Sequence, residues 1–335
     1  MKFGILLTSI YDGTVDPAQQ RLEHEELAKT ADSLGFDVMV AGQHFLGAEL
    51  RYFQPVPWLA HLSHAAPRMQ TATGIVLLSM VNPIDMAEQM STLDVVTDGK
   101  AIFGIGLGYS PHEFDAFGVA KGTKVRRFEE SLTLIKKLWS GETVDFDGEF
   151  VSVTGARPAV QPIQKGGPPI WIGGQATNAI KRAARMADAW YAPPFPNHSE
   201  LRTLRSTYLE TRADSGLPLD GDFPVRRELV LGESKDSARE AAIVRYQARY
   251  KTYLKWGLSG ENTPKQLTGQ ELADDIDSRF ILGTPNEVVD GLAKIGEDTG
   301  MTHFVYKPHW PGLPHREAMA QLEQFGTDVM PKLTS

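Results

Sequence analysis

Cysteine is absent from the 335 residues, which rules out disulfides, thiolate metal sites and cysteine nucleophiles, so any redox chemistry has to come from a bound cofactor. A basic run is also missing. With a net charge of −8 the chain offers no electrostatic footing for a phosphate backbone or an anionic lipid surface, and neither nucleic acid nor membrane is expected as a partner. No apolar stretch approaches the ~18 residues of a membrane span. Met1-Lys2-Phe3-Gly4-Ile5-Leu6-Leu7 is too short for a signal core and reads as a buried strand, so a cytoplasmic protein is expected. Several signature motifs are lacking as well. The turn after the first strand reads Thr8-Ser9-Ile10-Tyr11-Asp12-Gly13 rather than Gly-x-Gly-x-x-Gly, and there is no Gly-Lys-Ser/Thr, no Gly-x-Ser-x-Gly and no His-Glu-x-x-His. These absences speak against a dinucleotide fold, a nucleoside triphosphatase, an α/β-hydrolase and a zinc protease.

What is present is a regular alternation. Short apolar runs at 2–8, 37–41, 69–78, 101–106, 169–173, 189–192, 225–231 and 302–307 have strand length. Amphipathic stretches at 17–34, 83–96, 125–139, 177–186, 199–215, 235–254, 285–299 and 314–333 separate or follow them. Eight of each, in that order, predict a (β/α)8 barrel occupying the chain as a single domain, residues 1–335. Asn82 before Pro83 and Thr284 before Pro285 have the chemistry of helix caps followed by a first-turn proline. Two segments break the rhythm. Residues 142–153 alternate around Asp147-Gly148 and predict an inserted β-hairpin with a tight Asp-Gly turn, whereas 256–279 show no clear period and read as a lid over a site.

In such a barrel the chemistry sits where strands hand over to the following loops. His44 closes the second strand and is placed to act as a proton donor or base, or is a loop histidine without such a duty. His61 and His64 lie three apart on the next helix, but no third ligand stands nearby and a metal site is not expected. Gly104, Gly106 and Gly108 alternate at the end of the fourth strand, where they admit a ring or accommodate a bulky neighbour. Gly173-Gly174-Gln175-Ala176-Thr177 leads straight into a helix, forming either an anion site suited to a phosphate or an ordinary tight turn. Aromatic residues follow several strands: Tyr52, Phe53 and Trp58, then Tyr109, then Tyr191 and Phe195, and last His309 and Trp310. They suggest an apolar or aromatic substrate pocket.

An ordered series of segments carries a resemblance. It runs through Gly35-Phe36-Asp37, Thr73-Gly74-Ile75-Val76-Leu77-Leu78, Asn82-Pro83, Glu88-Gln89 and Gly104-Ile105-Gly106-Leu107-Gly108. It continues through Glu113-Phe114-Asp115-Ala116-Phe117-Gly118, Arg127-Phe128-Glu129-Glu130, Pro168-Pro169-Ile170-Trp171-Ile172-Gly173-Gly174, Ala187-Asp188-Ala189-Trp190 and Gly283-Thr284-Pro285. Together they resemble the bacterial luciferase-like monooxygenases, flavin- or deazaflavin-dependent (β/α)8 barrels. The resemblance implies that His44 lies beside the flavin ring as acid or base. It also implies that Ser79-Met80 forms a non-prolyl cis peptide under the ring, and that the stretch from Gly173 to Thr177 holds the phosphate. Gly106, Gly108, Tyr109 and either Arg127 or Arg126 are implied near the cofactor. By that likeness the chain is a two-component monooxygenase, without a nicotinamide fingerprint of its own, that receives reduced FMN from a separate flavin reductase and works as a homodimer. The alternatives are a hydride-transferring enzyme using an 8-hydroxy-5-deazaflavin coenzyme and a non-catalytic flavin-binding relative. Two departures stand out: Gln43 replaces the acidic residue common before the histidine, and Ala176 lacks the hydroxyl frequent at the phosphate turn.

Overall fold

Along β1 (Lys2–Leu7) the residues alternate so that Phe3, Ile5 and Leu7 join one apolar cluster and Leu6 another. Burial on both faces is what a parallel strand covered by helices requires. The same two-residue period recurs around the molecule in the computed structural model, which describes residues 1–7, 11, 15–47, 51–255 and 267–334. After β1 come α1 (Pro17–Leu34), β2 (Val38–Ala41), α2 (Pro55–Ala65), β3 (Gln70–Thr73), β4 (Val76–Leu77), α3 (Pro83–Val96) and β5 (Ala101–Gly106). The chain continues through α4 (Pro111–Ala116), α5 (Lys124–Leu138), β6 (Val144–Asp147), β7 (Ser152–Ala156), β8 (Ile170–Gly173), α6 (Thr177–Met186), β9 (Ala189–Tyr191) and α7 (His198–Asp214). It ends with β10 (Pro224–Arg226), β11 (Leu229–Leu231), α8 (Lys235–Lys255), α9 (Gly269–Arg279), β12 (Ile281–Gly283), α10 (Pro285–Thr299), β13 (His303–Tyr306) and α11 (His315–Gln324).

Eight parallel strands pair in the order β10-β13-β1-β2-β3-β5-β8-β9. The ring closes where Ala192 bridges Val225, with Ala192 N donating to Pro224 O at 3.0 Å and Arg226 N to Ala192 O at 2.9 Å. The fold is a (β/α)8 barrel. Its interior is filled by Leu6, Val38, Val40, Ala72, Ile102, Trp171, Ala189, Tyr191 and Val305, while the other face of each strand packs under the helices. Asn82 and Thr284 cap α3 and α10 as the sequence predicts, Thr284 within a capping box completed by Glu287.

The structure corrects several boundaries. The expected strand 69–78 is broken by a cis peptide at Gly74-Ile75, five residues before Ser79-Met80, so that β3 pairs with β2 and β4 pairs with β5. The expected strand 225–231 splits too. Only β10 belongs to the barrel, and β11 forms a separate two-stranded sheet with β12. The charged stretch Arg226-Arg227-Glu228 makes the break, because Arg227 turns away to donate to Pro193 O at 3.0 Å. The hairpin of β6 and β7 is present, but its turn is wider than a two-residue Asp-Gly turn, with Gly148 N donating to Val151 O. Glu130 on α5 holds it open, its carboxylate accepting from Glu149 N, Phe150 N and Val151 N. The segment expected to be a lid is described in part. Residues 256–266 lie outside the described residues, and 269–279 form α9, whose Leu272 and Ile276 pack against Ala238, Ala242 and Tyr246 of α8. Helices α2 and α4 add to the eight expected, and α11 ends at Gln324 before irregular helical turns that run to Lys332. No helix among the described residues is long and apolar enough to cross a membrane.

Burial pushes His198 and His309 down to about 4, assisted by Arg227 and by Lys307 respectively. Both rings are therefore neutral in the folded protein at pH 5, where an unfolded histidine with its ordinary value near 6.5 is protonated. The unfolded chain binds more protons through this window, so stability is expected to fall as the pH drops from about 6.5 towards 4. Thermal melts at pH 7.5 and pH 5.0 check this, and an unchanged melting temperature would contradict it.

Candidate active site

Beyond β2 the chain runs through Gly42-Gln43-His44-Phe45 at the C-terminal end of the barrel. His44 is held there by Glu113 from the first turn of α4, a carboxylate only 1% exposed. The Glu113 oxygens lie 3.0 and 3.2 Å from His44 Nδ1, and Oε1 also accepts from Phe45 N at 2.7 Å. A carboxylate oxygen accepts, so Nδ1 is the ring nitrogen that donates to Glu113 and Nε2 is the one left for other chemistry. That nitrogen lies 3.4 Å from the Tyr109 hydroxyl. The rings of Tyr52 and Tyr109 stand edge-on to the imidazole, with centroids 4.9 and 5.5 Å away. His44, Phe45, Arg51, Tyr52, Gln54 and Phe117 line a cleft of about 470 Å³.

Glu113 is the residue that sequence reasoning left without a role. Ser110-Pro111-His112-Glu113 has the spacing of a capping box, yet Ser110 makes no side-chain cap bond and the glutamate reaches across to the histidine. Gln43, by contrast, points away from such chemistry. Its side-chain oxygen accepts from Leu77 N at 2.9 Å and its amide donates to Gln54, anchoring β4 beside the loop.

Ile75, just after the cis bond, projects over the neighbouring strand ends. A Cβ on Gly106 would lie 2.1 Å from Ile75 Cδ1, and one on Gly173 would lie 3.2 Å from Ile75 Cγ2. These glycines make room for an apolar shelf. Gly108 does the same for Met80, which packs with Leu77 and Phe114, while Ser79 gives its hydroxyl to Leu107 O. Ser79 and Met80 thus support α4 and are not the cis pair.

At the next strand end, Gly174 O accepts from Trp190 Nε1 at 2.8 Å, and α6 begins at Thr177 with Ala176 as an N-cap that supplies no side-chain bond. Gln175 is half-buried, whereas Ala176 and Thr177 are exposed. The first turn of α6 is therefore open to an anion at the end of the barrel where His44 lies. Arg126 is exposed and paired with Glu149, whereas Arg127 is half-buried, with its guanidinium 4.4 Å from the centre of the Phe150 ring and Nε unpartnered among the described residues.

The opposite wall is charged. Arg226 follows the inward position of Tyr191, and Arg226 and Arg249 both donate to Glu228, which is fully buried. Burial alone would raise the Glu228 carboxyl, but Arg249, Arg226 and Lys307 outweigh it and bring the group down to about 2.

The aromatic residues divide. Tyr52 and Tyr109 face His44, and Tyr191 is buried beside Gly74. Phe195 is half-buried in the loop after β9. Trp58 and Phe53 pack on each other and on His24, with Trp58 stacked on His61, so they belong to the seam between α1 and α2. Trp310 is fully buried against Phe280 beneath α8 and α9. His61 pairs with Glu25, and no metal-binding group of three side chains occurs among the described residues.

Comparison with known proteins follows this geometry. The family model described as luciferase-like monooxygenase matches residues 1–303. The chain belongs to the luciferase-like monooxygenase family. It is 26% identical over 316 residues to 4-hydroxyprotoasukamycin monooxygenase of Streptomyces nodosus subsp. asukaensis, covering 90% of this chain and 83% of the relative. To the F420-dependent glucose-6-phosphate dehydrogenase of Microbacterium testaceum it is 27% identical over 320 residues, covering 90% of each. The crystal structure of the monooxygenase RslO1 from Streptomyces bottropensis superposes over all of both chains with a TM-score of 0.85 at 23% identity. The luciferase-like family thus accounts for the barrel and makes this chain an oxidoreductase.

Proposed function

We propose that the chain is a flavin-dependent monooxygenase which uses reduced FMN, delivered by a separate reductase, and molecular oxygen to oxygenate a small apolar or aromatic substrate. The reaction consumes substrate, O2 and FMNH2 and releases the hydroxylated product, FMN and water. The observation that carries this reading is the half-buried His44 paired with the buried Glu113 at the same barrel end as the Ile75 shelf. Two of the similar proteins named above are monooxygenases.

The residues present fit a flavin. Ile75 on Gly106 and Gly173 is an apolar surface suited to a ring, the open first turn of α6 with Gly174, Gln175, Ala176 and Thr177 suits a phosphate, and Arg127 adds a cation. Bound there, reduced FMN supplies two electrons for the reduction of oxygen. The protein's own part is proton management and exclusion of water. His44 Nε2 takes or gives the proton, Glu113 keeps Nδ1 protonated and stabilises the imidazolium, and the Tyr109 hydroxyl lies within reach of Nε2. The proposal includes a single-domain chain acting as a cytoplasmic homodimer.

A second reading keeps these roles and replaces FMN by an 8-hydroxy-5-deazaflavin coenzyme that exchanges a hydride with the substrate. The likeness to an F420-dependent dehydrogenase favours it. Anaerobic titration with each reduced coenzyme, followed by admission of oxygen, separates the two. Binding of reduced FMN and substrate-dependent oxygen uptake is the expected result. Binding of the deazaflavin alone would select the second reading, and binding of neither would remove the cofactor assignment.

A further inference from the structure

Gln54 stands at the start of α2 in the place of an N-cap, yet its side chain makes no cap bond. Both ends of that side chain are engaged elsewhere. Its Nε2 donates to His44 O at 3.2 Å and its Oε1 accepts from Gln43 Nε2 at 2.9 Å, while Gln43 Oε1 accepts from Leu77 N at 2.9 Å. Two side-chain amides thus run in series from β4, two residues past Ile75, to the backbone of the histidine.

The direction of this series is fixed at both ends. Leu77 N can only donate and His44 O can only accept, so residue 43 must present an acceptor to β4 and residue 54 a donor to His44. Gln43 is 6% exposed, and reversing either amide would set like groups face to face with little water to relieve them. Glu113 holds the same loop from α4, through His44 Nδ1 and Phe45 N. We propose that Gln54 is a positioning residue for His44, and that the Gln43–Gln54 relay keeps this histidine in register with the Ile75 shelf. His44 lies beyond the end of β2, where the strand ladder no longer fixes it, and a reactive group displaced by about 1 Å can lose roughly 100-fold in rate. The relay also gives Gln43 a reason to be an amide. A carboxylate there accepts from Leu77 N equally well, but its second oxygen faces Gln54 Oε1, and the flip that relieves this turns the Gln54 oxygen on to His44 O. The inference rests on the proposed acid–base role of His44 for its purpose, but the relay is tested without cofactor.

Two charge-swapped double variants of the full-length chain test the direction. Gln43→Glu with Gln54→Lys keeps an acceptor at Leu77 N and a donor at His44 O, whereas Gln43→Lys with Gln54→Glu carries the same two new side chains in reverse and satisfies neither. Hydrogen–deuterium exchange at Phe45 N and Leu77 N, read without added flavin, is expected to stay near the parent rate in the first and to rise roughly tenfold in the second, the protection that one such bond confers. The neutral Gln54→Met removes both Gln54 bonds without adding charge and should match the reversed swap at Phe45 N. Packing alone would treat the two swaps alike, so equal exchange in both, or parent-like exchange in Gln54→Met, would overturn the relay. With reduced FMN and oxygen, the reversed swap is expected to lower kcat by about tenfold or more while KM stays within about threefold. His44→Ala tests the proposed function separately: unchanged turnover there, with the swaps exchanging as expected, would remove the role of His44 and leave the relay standing.

Discussion

Substituting His44→Ala is expected to lower oxygen-dependent turnover by roughly 10²- to 10⁴-fold, the range typical of a lost general acid or base, while cofactor affinity measured by fluorescence titration changes little. The imidazole lines the cleft, with one nitrogen fixed by a buried carboxylate and the other 3.4 Å from the Tyr109 hydroxyl. Glu113→Gln should give a smaller loss. The amide oxygen still accepts from Nδ1, but the charge that stabilises the imidazolium and fixes the tautomer is gone. Because the glutamate acts through the histidine, the double variant is expected to be no slower than His44→Ala alone. Additive losses would mean that Glu113 works elsewhere, and near-normal turnover in His44→Ala would remove the proton-transfer assignment. Melting curves belong with these assays, since without His44 the buried carboxylate keeps only Phe45 N as a shown partner, a deficit worth about 1–3 kcal/mol.

Gly104→Ala is expected to cost the fold about 4 kcal/mol. A Cβ there would lie 1.8 Å from Thr73 O, a backbone atom that cannot rotate away. The same spot carries a substitute for the strand ladder: Thr73 Oγ1 accepts from Gly104 N at 2.8 Å and donates to Gly104 O at 2.7 Å, where β3 gives way to the Gly74-Ile75 break. Relieving the clash means parting β3 from β5. Overpacking of a tight interior costs roughly 1–3 kcal/mol, and two weakened hydrogen bonds add about 1 kcal/mol each. For a chain of this size that corresponds to a fall in Tm on the order of 6 °C. Gly122→Ala is the control, since its added Cβ meets nothing within 4 Å. Equal melting temperatures for the two variants would show that β3 and β5 tolerate the separation.

The barrel was legible because each of its strands is a local apolar run and each crossover helix has its own period and caps. Interactions between neighbours in sequence suffice to mark such elements. β5 matches residue for residue, and α1 and α3 do as well. Errors occur where a distant group overrides the local signal. Glu130 opens the hairpin turn that Asp147-Gly148 would close tightly, and Pro193 and Arg249 draw Arg227 and Glu228 out of the line of a strand expected to run on to Leu231. Helix α9 buries a narrow stripe, Leu272 and Ile276, too sparse to show as a period among its acidic residues.

The candidate site divides in the same way. His44 was readable from its place at a strand end, and the turn before α6 from its glycines, since both follow from where strands stop. Glu113 was not, because its spacing from Ser110 fits a local cap equally well and only the approach of α4 to the β2 loop selects the histidine. Nor was the burial of Glu228 and Lys307, because a charged residue past a strand end looks solvated until closure of the ring buries it. Sequence alone determined the order of elements and the ends of most strands, which depend on neighbours along the chain. Tertiary structure decided which carboxylate holds His44, which residue forms the shelf and which arginines share Glu228, because those depend on packing that the order of residues along the chain does not show.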